Sequence, residues 1–294
     1  MSNSIAVIGL GAMGSRIAAR LIAQGHSVTV YNRTHERSNA LAEVGAQVAG
    51  SVADSVREVD FVITSLRGNE VELELAVGEH GFLRHMRPGA LHLSMSTLAP
   101  AVAAQLANSH RENGNHFLAC PVQGRPESID NGQLAIWASG PRVNFDAAEP
   151  VLQALAVQRL WLGEAPEQAP AAKLAVNMLM FANIELFAEV FHYLRRVGVD
   201  PAPVAQVLTQ TSFAAPLFRM ITSGLLGDHK AQGTNLEGSL KDLRMLVEHA
   251  KVVQAHMPAA AAVQTQYERA AEMGFGQRAQ TSVLQALDGS GPHG

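Results

Sequence analysis

Two hydrophobic patterns divide the chain. In the first half, short apolar runs recur at residues 5–8 (IAVI), 27–31 (SVTVY), 61–66 (FVITSL), 91–94 (LHLS), 116–120 (HFLAC), 134–139 (LAIWAS) and 159–162. Runs this short, rich in β-branched residues and bounded by glycine, asparagine or aspartate, predict strands, and those without a polar interruption predict strands buried on both faces. Between them, residues 15–24, 35–44, 70–76 and the stretch from Pro100 carry helical spacing. Strand and helix alternate, so the pattern predicts an α/β domain over residues 1–163 with a doubly wound, mostly parallel sheet. From Ala169 the period changes. Residues 169–198 form one long apolar segment ending at Gly198, and a second helix opens near Ser239 and runs to about His256. A helix apolar over most of its circumference must be covered by other helices or by a second subunit, which predicts an all-α domain over 164–287 and a homodimer. The last stretch, 288–294 (DGSGPHG), lacks periodicity and is expected to be a disordered tail.

The first strand runs directly into Gly9-Leu10-Gly11-Ala12-Met13-Gly14 and then into a helix. In that context the three glycines have separate tasks: Gly9 permits the turn, Gly11 lets backbone approach a pyrophosphate, and Gly14 lets the helix pack closely on its strand. The six residues therefore point to a dinucleotide. The second strand ends in Asn32-Arg33-Thr34, where an NAD-binding protein would usually carry an acid for the ribose hydroxyls. A guanidinium fork and a hydroxyl suit a 2′-phosphate instead, so the expected cofactor is NADP(H).

Composition narrows the alternatives. The chain has 294 residues, 47% hydrophobic and 16% charged, with a formal net charge of −4. That balance provides no basic field for nucleic acid or an anionic membrane, and neither is expected as a partner. Cys120 is the only cysteine, so there is no disulfide framework. The 12 histidines show no metal-ligand spacing and are expected to be isolated or at the surface; no metal is expected. The N-terminus enters a strand without a charged, apolar leader, which places the expected location in the cytoplasm.

Further candidates lie at strand ends. In an open parallel sheet the carboxyl ends of the strands face the ligands. Leu66 ends the 61–66 run, where it could pack on the adenine or ribose, and Arg67 follows it, with Asn69 a candidate cap for the next helix. Ser96 and Thr97 follow the 91–94 run, where such hydroxyls either meet a ligand or cap a helix. Val122, Gln123, Gly124 and Arg125 fall on a connection of about a dozen residues between two strands, and a long connection in a compact domain is often functional. Arg125 reads either as an anion clamp or as a solvated side chain. On the long helix Lys173 and Asn177 are four apart and share a face. Such a lysine either reaches to water or is held in a site, where desolvation would suit it to proton transfer. Lys241 and Asp242 read, on spacing alone, as a solvated pair.

Taken in order, GLGAMG, NRT, STLAP (96–100), CPVQG (120–124), NGQL (131–134), KLAVN (173–177) and LKDL (240–243) resemble the β-hydroxyacid dehydrogenase family over nearly the whole chain. The resemblance implies a Rossmann domain, a helical second domain joined to it by a long interdomain helix, a dimer or tetramer, and hydride transfer between a nicotinamide and a small aldehyde or keto acid and its hydroxy acid. It implies Lys173 as acid/base with Asn177 beside it, Ser96 and the 122–124 stretch as substrate contacts, and Lys241 at the cofactor or substrate site. Two departures bear on the substrate. The family's usual serine and second glycine in the substrate loop are replaced by Gln123 and Arg125, and the stretch before Lys241, often aromatic, is Gly233-Thr234-Asn235, which implies a polar wall. The sister group of imine reductases is therefore the alternative activity, although its members commonly lack the lysine. A cofactor-binding protein without strong catalysis is a further alternative.

Overall fold

The computed structural model describes residues 2–211, 214–227 and 235–291. It has two compact units, Met1–Lys173 and Leu174–Gly294.

The first unit opens with β1 (Ser4–Ile8), α1 (Gly14–Ala23), β2 (Ser27–Tyr31), α2 (Glu36–Ala42), the two-residue β3 (Gln47–Val48) and α3 (Val52–Val56). It continues through β4 (Phe61–Thr64), α4 (Asn69–Val77), β5 (Leu91–Ser94), α5 (Pro100–Glu112), β6 (His116–Ala119), β7 (Val122–Gln123), α6 (Pro126–Asp130), β8 (Leu134–Ser139), α7 (Arg142–Leu155) and β9 (Ala156–Gly163). Strand order is β3-β2-β1-β4-β5-β6-β8-β7, with β9 on β8. Pairing is parallel from β3 through β6, turns antiparallel at β6·β8 and β7·β8, and is parallel again at β8·β9. This is the predicted Rossmann-type arrangement. The central β1 is apolar from Ile5 to Ile8 because both faces are covered: Ile5 and Val7 join one core, Ala6 and Ile8 the other.

The stretch from 121 to 133 is not the unstructured connection expected from spacing. Val122 and Gln123 form β7 against Ile136 and Ala135 of β8, and α6 follows. Backbone pairing thereby sets Gln123 in a fixed register. The first unit also runs past residue 163 into the next helix, because Ala169 N–H donates to Ser139 Oγ at 2.9 Å and Ser139 Oγ–H donates to the Pro166 carbonyl at 3.0 Å.

The second unit contains most of α8 (Gln168–Arg196), then α9 (Pro201–Leu208), α10 (Pro216–Leu226), α11 (Leu236–Val252), α12 (Pro258–Ala270) and α13 (Val283–Leu287). By length and hydropathy α8 could cross a membrane, yet Phe181, Ile184, Ala188 and Phe191 are buried in a core with Leu240, Leu243, Tyr267 and Leu284. Asp288, the first residue of the expected tail, is held in place: it accepts from His192 Nδ1 at 2.6 Å and pairs with Arg195, while residues 292–294 lie outside the described residues.

Candidate functional site

The glycine turn does what its sequence requires. Gly9 has φ +93°, and a Cβ there would lie 2.6 Å from the Ser65 carbonyl oxygen and from Leu66 Cδ2. A Cβ on Gly14 would lie 1.8 Å from the Gly9 carbonyl oxygen. No atom stands within 4 Å of the position a Cβ on Gly11 would take, so that backbone opens onto space at the start of α1. Leu10, Gly11, Ala12, Ser15 and Arg37 line a cavity of about 330 Å³ there. Backbone, a helix N-terminus and a cation around that volume fit a dinucleotide's phosphates. Met13 instead packs against the core.

Asn32 is structural as well as nearby. Its Oδ1 accepts from Leu10 N–H at 2.9 Å and its Nδ2 donates to the Thr34 carbonyl at 2.9 Å, tying the end of β2 to the glycine turn. Arg33 and Thr34 are exposed. Arg37, one turn further on, was not singled out from the sequence although the cavity includes it. It stands in the first turn of the helix that follows the Asn32-Arg33-Thr34 turn, where a cation faces the same end of the sheet.

Beneath the ends of β4 and β5 lies a polar cluster that sequence reading missed. In the register Thr64↔Ser94 and Val62↔His92, alternate residues put Thr64, His92 and Ser94 on one sheet face, against α4 and α5. Glu72 on α4 is fully buried there. Its Oε1 accepts from Ser94 Oγ at 2.8 Å and from Thr64 Oγ1, and its Oε2 accepts from Ser96 Oγ at 2.6 Å. Thr64 Oγ1 lies 2.9 Å from His92 Nε2, and His92 Nδ1 lies 2.9 Å from His110 Nε2. Burial raises the Glu72 carboxyl above the ordinary carboxylate range, opposed by the three hydroxyl donors. Burial lowers His92 well below the usual imidazole range, and with His116 nearby it brings His110 down to about 3. Both imidazoles are thus neutral. The expectation of isolated or surface histidines fails for this pair, because an alternating strand can bury a polar side chain whenever the opposite face supplies partners.

Ser96 is buried. Besides donating to Glu72 it accepts from Leu66 N–H at 2.8 Å, which joins the loops after β4 and β5. Asn69 does not cap α4; its Oδ1 accepts from Ala99 N–H at 2.9 Å and pins the segment before α5. Arg67 is exposed.

At the opposite edge of the same unit, Lys173 is buried to 8% exposure and its Nζ donates to Gln123 Oε1 at 2.6 Å. Val122 packs against the core, while Gly124, at φ +145°, has no room for a side chain because a Cβ would meet Leu134 Cδ2 at 2.7 Å. Arg125 is exposed at the residue before α6. In the second unit Asn177 Nδ2 donates to Asp242 Oδ2 at 2.8 Å, and Lys241 Nζ lies 3.1 Å from Asp242 Oδ1. Asp242 is buried, so it and Lys241 are not the solvated pair suggested by spacing. Asp242 was missed as a site residue, and its neighbour's role was the only sequence signal. Of the stretch before Lys241, Gly233 and Thr234 lie outside the described residues.

The chain is similar to known proteins over nearly its whole length. Residues 4–163 match the model for the NAD binding domain of 6-phosphogluconate dehydrogenase, and residues 168–287 match that for the NAD-binding region of NADP-dependent 3-hydroxyisobutyrate dehydrogenase. An uncharacterized oxidoreductase of Bacillus subtilis, YfjR, is 33% identical over 274 residues, 92% of this chain and 95% of that protein. Glyoxylate/succinic semialdehyde reductase 2, chloroplastic, of Arabidopsis thaliana is 29% identical over 284 residues, 97% of this chain and 79% of that protein. The structure of Mycobacterium tuberculosis 3-hydroxyisobutyrate dehydrogenase with L-serine superposes with a TM-score of 0.86 at 24% identity, covering 98% of this chain and 99% of the other. The chain belongs to this family of 3-hydroxyisobutyrate dehydrogenase-like, NAD(P)-binding oxidoreductases.

Proposed function

We propose that the protein is an NADP(H)-dependent reductase of a small aldehyde or keto acid, or the dehydrogenase of the corresponding hydroxy acid, with Lys173 as the proton donor and acceptor. The observation that carries this reading is the buried Lys173 ammonium held at 2.6 Å by Gln123. When bound, the reduced nicotinamide supplies a hydride. Lys173 then gives a proton from Nζ to the oxygen that gains charge, and the Gln123 carbonyl, anchored on β7, keeps that ammonium in one orientation. Asn177 lies one turn along the same helix, and the Asp242 carboxylate fixes its amide. Arg33, Thr34 and Arg37, with no acid at the end of β2, support a 2′-phosphate. The activity of the Arabidopsis relative, a glyoxylate/succinic semialdehyde reductase, supports glyoxylate and succinic semialdehyde as first substrates.

The test is initial-rate kinetics with NADPH and with NADH on those two aldehydes, for the wild type and Lys173→Ala. The expected result is preference for NADPH and a loss of about 10²-fold or more in kcat for the variant, with cofactor affinity retained. Unchanged turnover by Lys173→Ala would sink the assignment.

One observation favours the imine reading: the neutral amide of Gln123, 2.6 Å from Lys173 Nζ, stands where the family's substrate loop usually carries a serine, and Arg125 is exposed. NADPH oxidation with a cyclic imine such as a pyrroline, faster than with either aldehyde, would select it.

A homodimer is part of the same proposal. Val176, Leu179, Leu186, Val190 and Tyr193 leave 36–65% of their surface exposed along α8, a stripe at helical spacing suited to a second copy. Light scattering on Leu179→Glu/Leu186→Glu should read a monomer where the wild type reads a dimer; a monomeric wild type removes the idea.

A further inference from the structure

We propose that Glu72 is a positioning residue that fixes the polarity of the Ser96 hydroxyl, so that Ser96 meets a ligand as a hydrogen-bond acceptor and selects an N–H or O–H donor, not a carboxylate. The proposal rests on the dinucleotide reading of this sheet end.

The directions of the bonds follow from the groups. Leu66 N–H can only donate, so at 2.8 Å it uses one Ser96 lone pair. The Ser96 hydroxyl has one proton, and it points at Glu72 Oε2 at 2.6 Å. Ser96 makes no other hydrogen bond among the described residues. What the oxygen retains is a lone pair, and any ligand it meets must bring the hydrogen. A carboxylate brings none.

The same polarity survives addition of a proton to the carboxyl, because the other oxygen has somewhere to send it. With Glu72 ionised, Thr64 donates to Oε1, His92 Nε2–H donates to Thr64, and His110 Nε2–H donates to His92 Nδ1. His110 Nδ1 is then a buried lone pair without a partner. With a proton on Oε1, Thr64 accepts it and passes its own hydrogen to His92 Nε2, and both imidazoles exchange tautomers. The histidine pair absorbs the change. Oε2 continues to accept from Ser96 in both cases. A proton on Oε2 would instead turn the Ser96 hydrogen away from Glu72, whereas a proton on Oε1 puts a hydrogen on the buried His110 Nδ1, which has no acceptor; the ionised carboxyl leaves only an unused lone pair there.

The shared chemistry is a donor, and it has two sources: the carboxamide N–H₂ of the nicotinamide, or a hydroxyl or amine of the substrate. Calorimetric titration with NADP⁺ and with its 3-acetylpyridine analogue, which keeps the carbonyl and lacks the N–H₂, separates them without requiring turnover. The wild type, Ser96→Ala and Glu72→Gln are compared. In Glu72→Gln the amide carbonyl serves the two donors at Oε1, so its N–H₂ faces Ser96 and turns the serine hydrogen outward.

If the donor is the carboxamide, the wild type binds NADP⁺ about fivefold more tightly than the analogue, the worth of one ordinary hydrogen bond. That ratio falls toward one in both variants. If the donor is the substrate's, the ratio is near one throughout, and both variants raise KM for the hydroxy or amino substrate severalfold with kcat unchanged. A ratio and KM unaltered in both variants overturn the proposal, and so does a ratio or KM effect seen in Ser96→Ala and absent from Glu72→Gln. Should Glu72→Gln fail to fold, Glu72→Asp takes its place: the acceptor is kept one methylene short, and an effect intermediate between the wild type and Ser96→Ala is expected, while none overturns. Failure of the wild type to bind either nucleotide would instead remove the dinucleotide reading, and this proposal with it.

Discussion

Each compact unit buries one glutamate, and the two are solved differently. Glu72, between α4 and the sheet, receives hydrogens from Thr64, Ser94 and Ser96. Glu185, on α8 in the helical core, is 3% exposed and has no hydrogen bond to either carboxylate oxygen among the described residues. In both cases burial is the largest influence and raises the carboxyl. At Glu72 three donors oppose the rise; at Glu185 nothing does, the Glu189 carboxylate adds to it, and the group is pushed up to about 7. The comparison teaches that a sheet edge with hydroxyls in register can hold a buried acid as an organising centre. A helical core with apolar neighbours can hold one only as a group that gives up its charge.

The sharpest break in the comparison is removal of each acid. Glu72→Ala strips the acceptor from three buried hydroxyls and leaves a void, which should cost about 3 kcal/mol of unfolding free energy. Urea unfolding with an unchanged m-value is the measurement. A loss below about 1 kcal/mol would show that the cluster is not organised by the carboxyl.

Glu185→Gln should move in the opposite direction, and only above a certain pH. The folded-state value, about 7, lies above the ordinary 4.5 of the unfolded chain, so the folded protein keeps a proton that the unfolded chain releases between these values. Stability linked to Glu185 is therefore full below about 4.5 and is lost as pH rises through about 7. A glutamine has no charge to bury. The variant should match the wild type near pH 4.5 and exceed it by ~3 kcal/mol at pH 8. Parallel pH profiles for the two proteins would mean that Glu185 finds a partner in solution, and the contrast with Glu72 would collapse.

The two acids also mark where sequence reading stops. The sheet was readable because a parallel strand covered on both faces is mostly apolar, as Ile5 to Ile8 are, and the glycine turn because Gly9 and Gly14 admit no side chain. Lys173 and Asn177 were placed by resemblance, since four-residue spacing alone left a solvated lysine open. Glu72 was invisible: Glu70, Glu72 and Glu74 alternate along one short helix, and only the register of β4 with β5 singles out the middle one. Alternation in Leu91-His92-Leu93-Ser94 was a signal, as two polar residues on one face of an otherwise apolar strand require a buried partner. β7 and α6 were missed because two residues and five residues are too short for a period to show. Glu185 gave no signal, since one acid on a long amphipathic helix is ordinary until neighbouring helices close over it.

The finest test concerns the three donors themselves. If Glu72 were held by charge alone, its hydroxyl partners would be interchangeable. The bonding pattern says they are not. Ser94 shares Oε1 with Thr64, so Ser94→Ala leaves that oxygen one donor and removes a single small atom; a loss of about 1 kcal/mol is expected. Thr64→Val is nearly the same shape, yet it also takes the acceptor away from His92 Nε2–H, which then has no partner in a fully buried place. It should cost about 1 kcal/mol more than Ser94→Ala by urea unfolding. In a Glu72→Gln background the Ser94→Ala loss should shrink only slightly, because an amide oxygen at the Oε1 position accepts the same two hydrogens. Equal losses for Ser94→Ala and Thr64→Val would show that the chain through His92 to His110 is spatial proximity without directed bonding. Glu72 would then differ from Glu185 in having neighbours, but not in being organised by them.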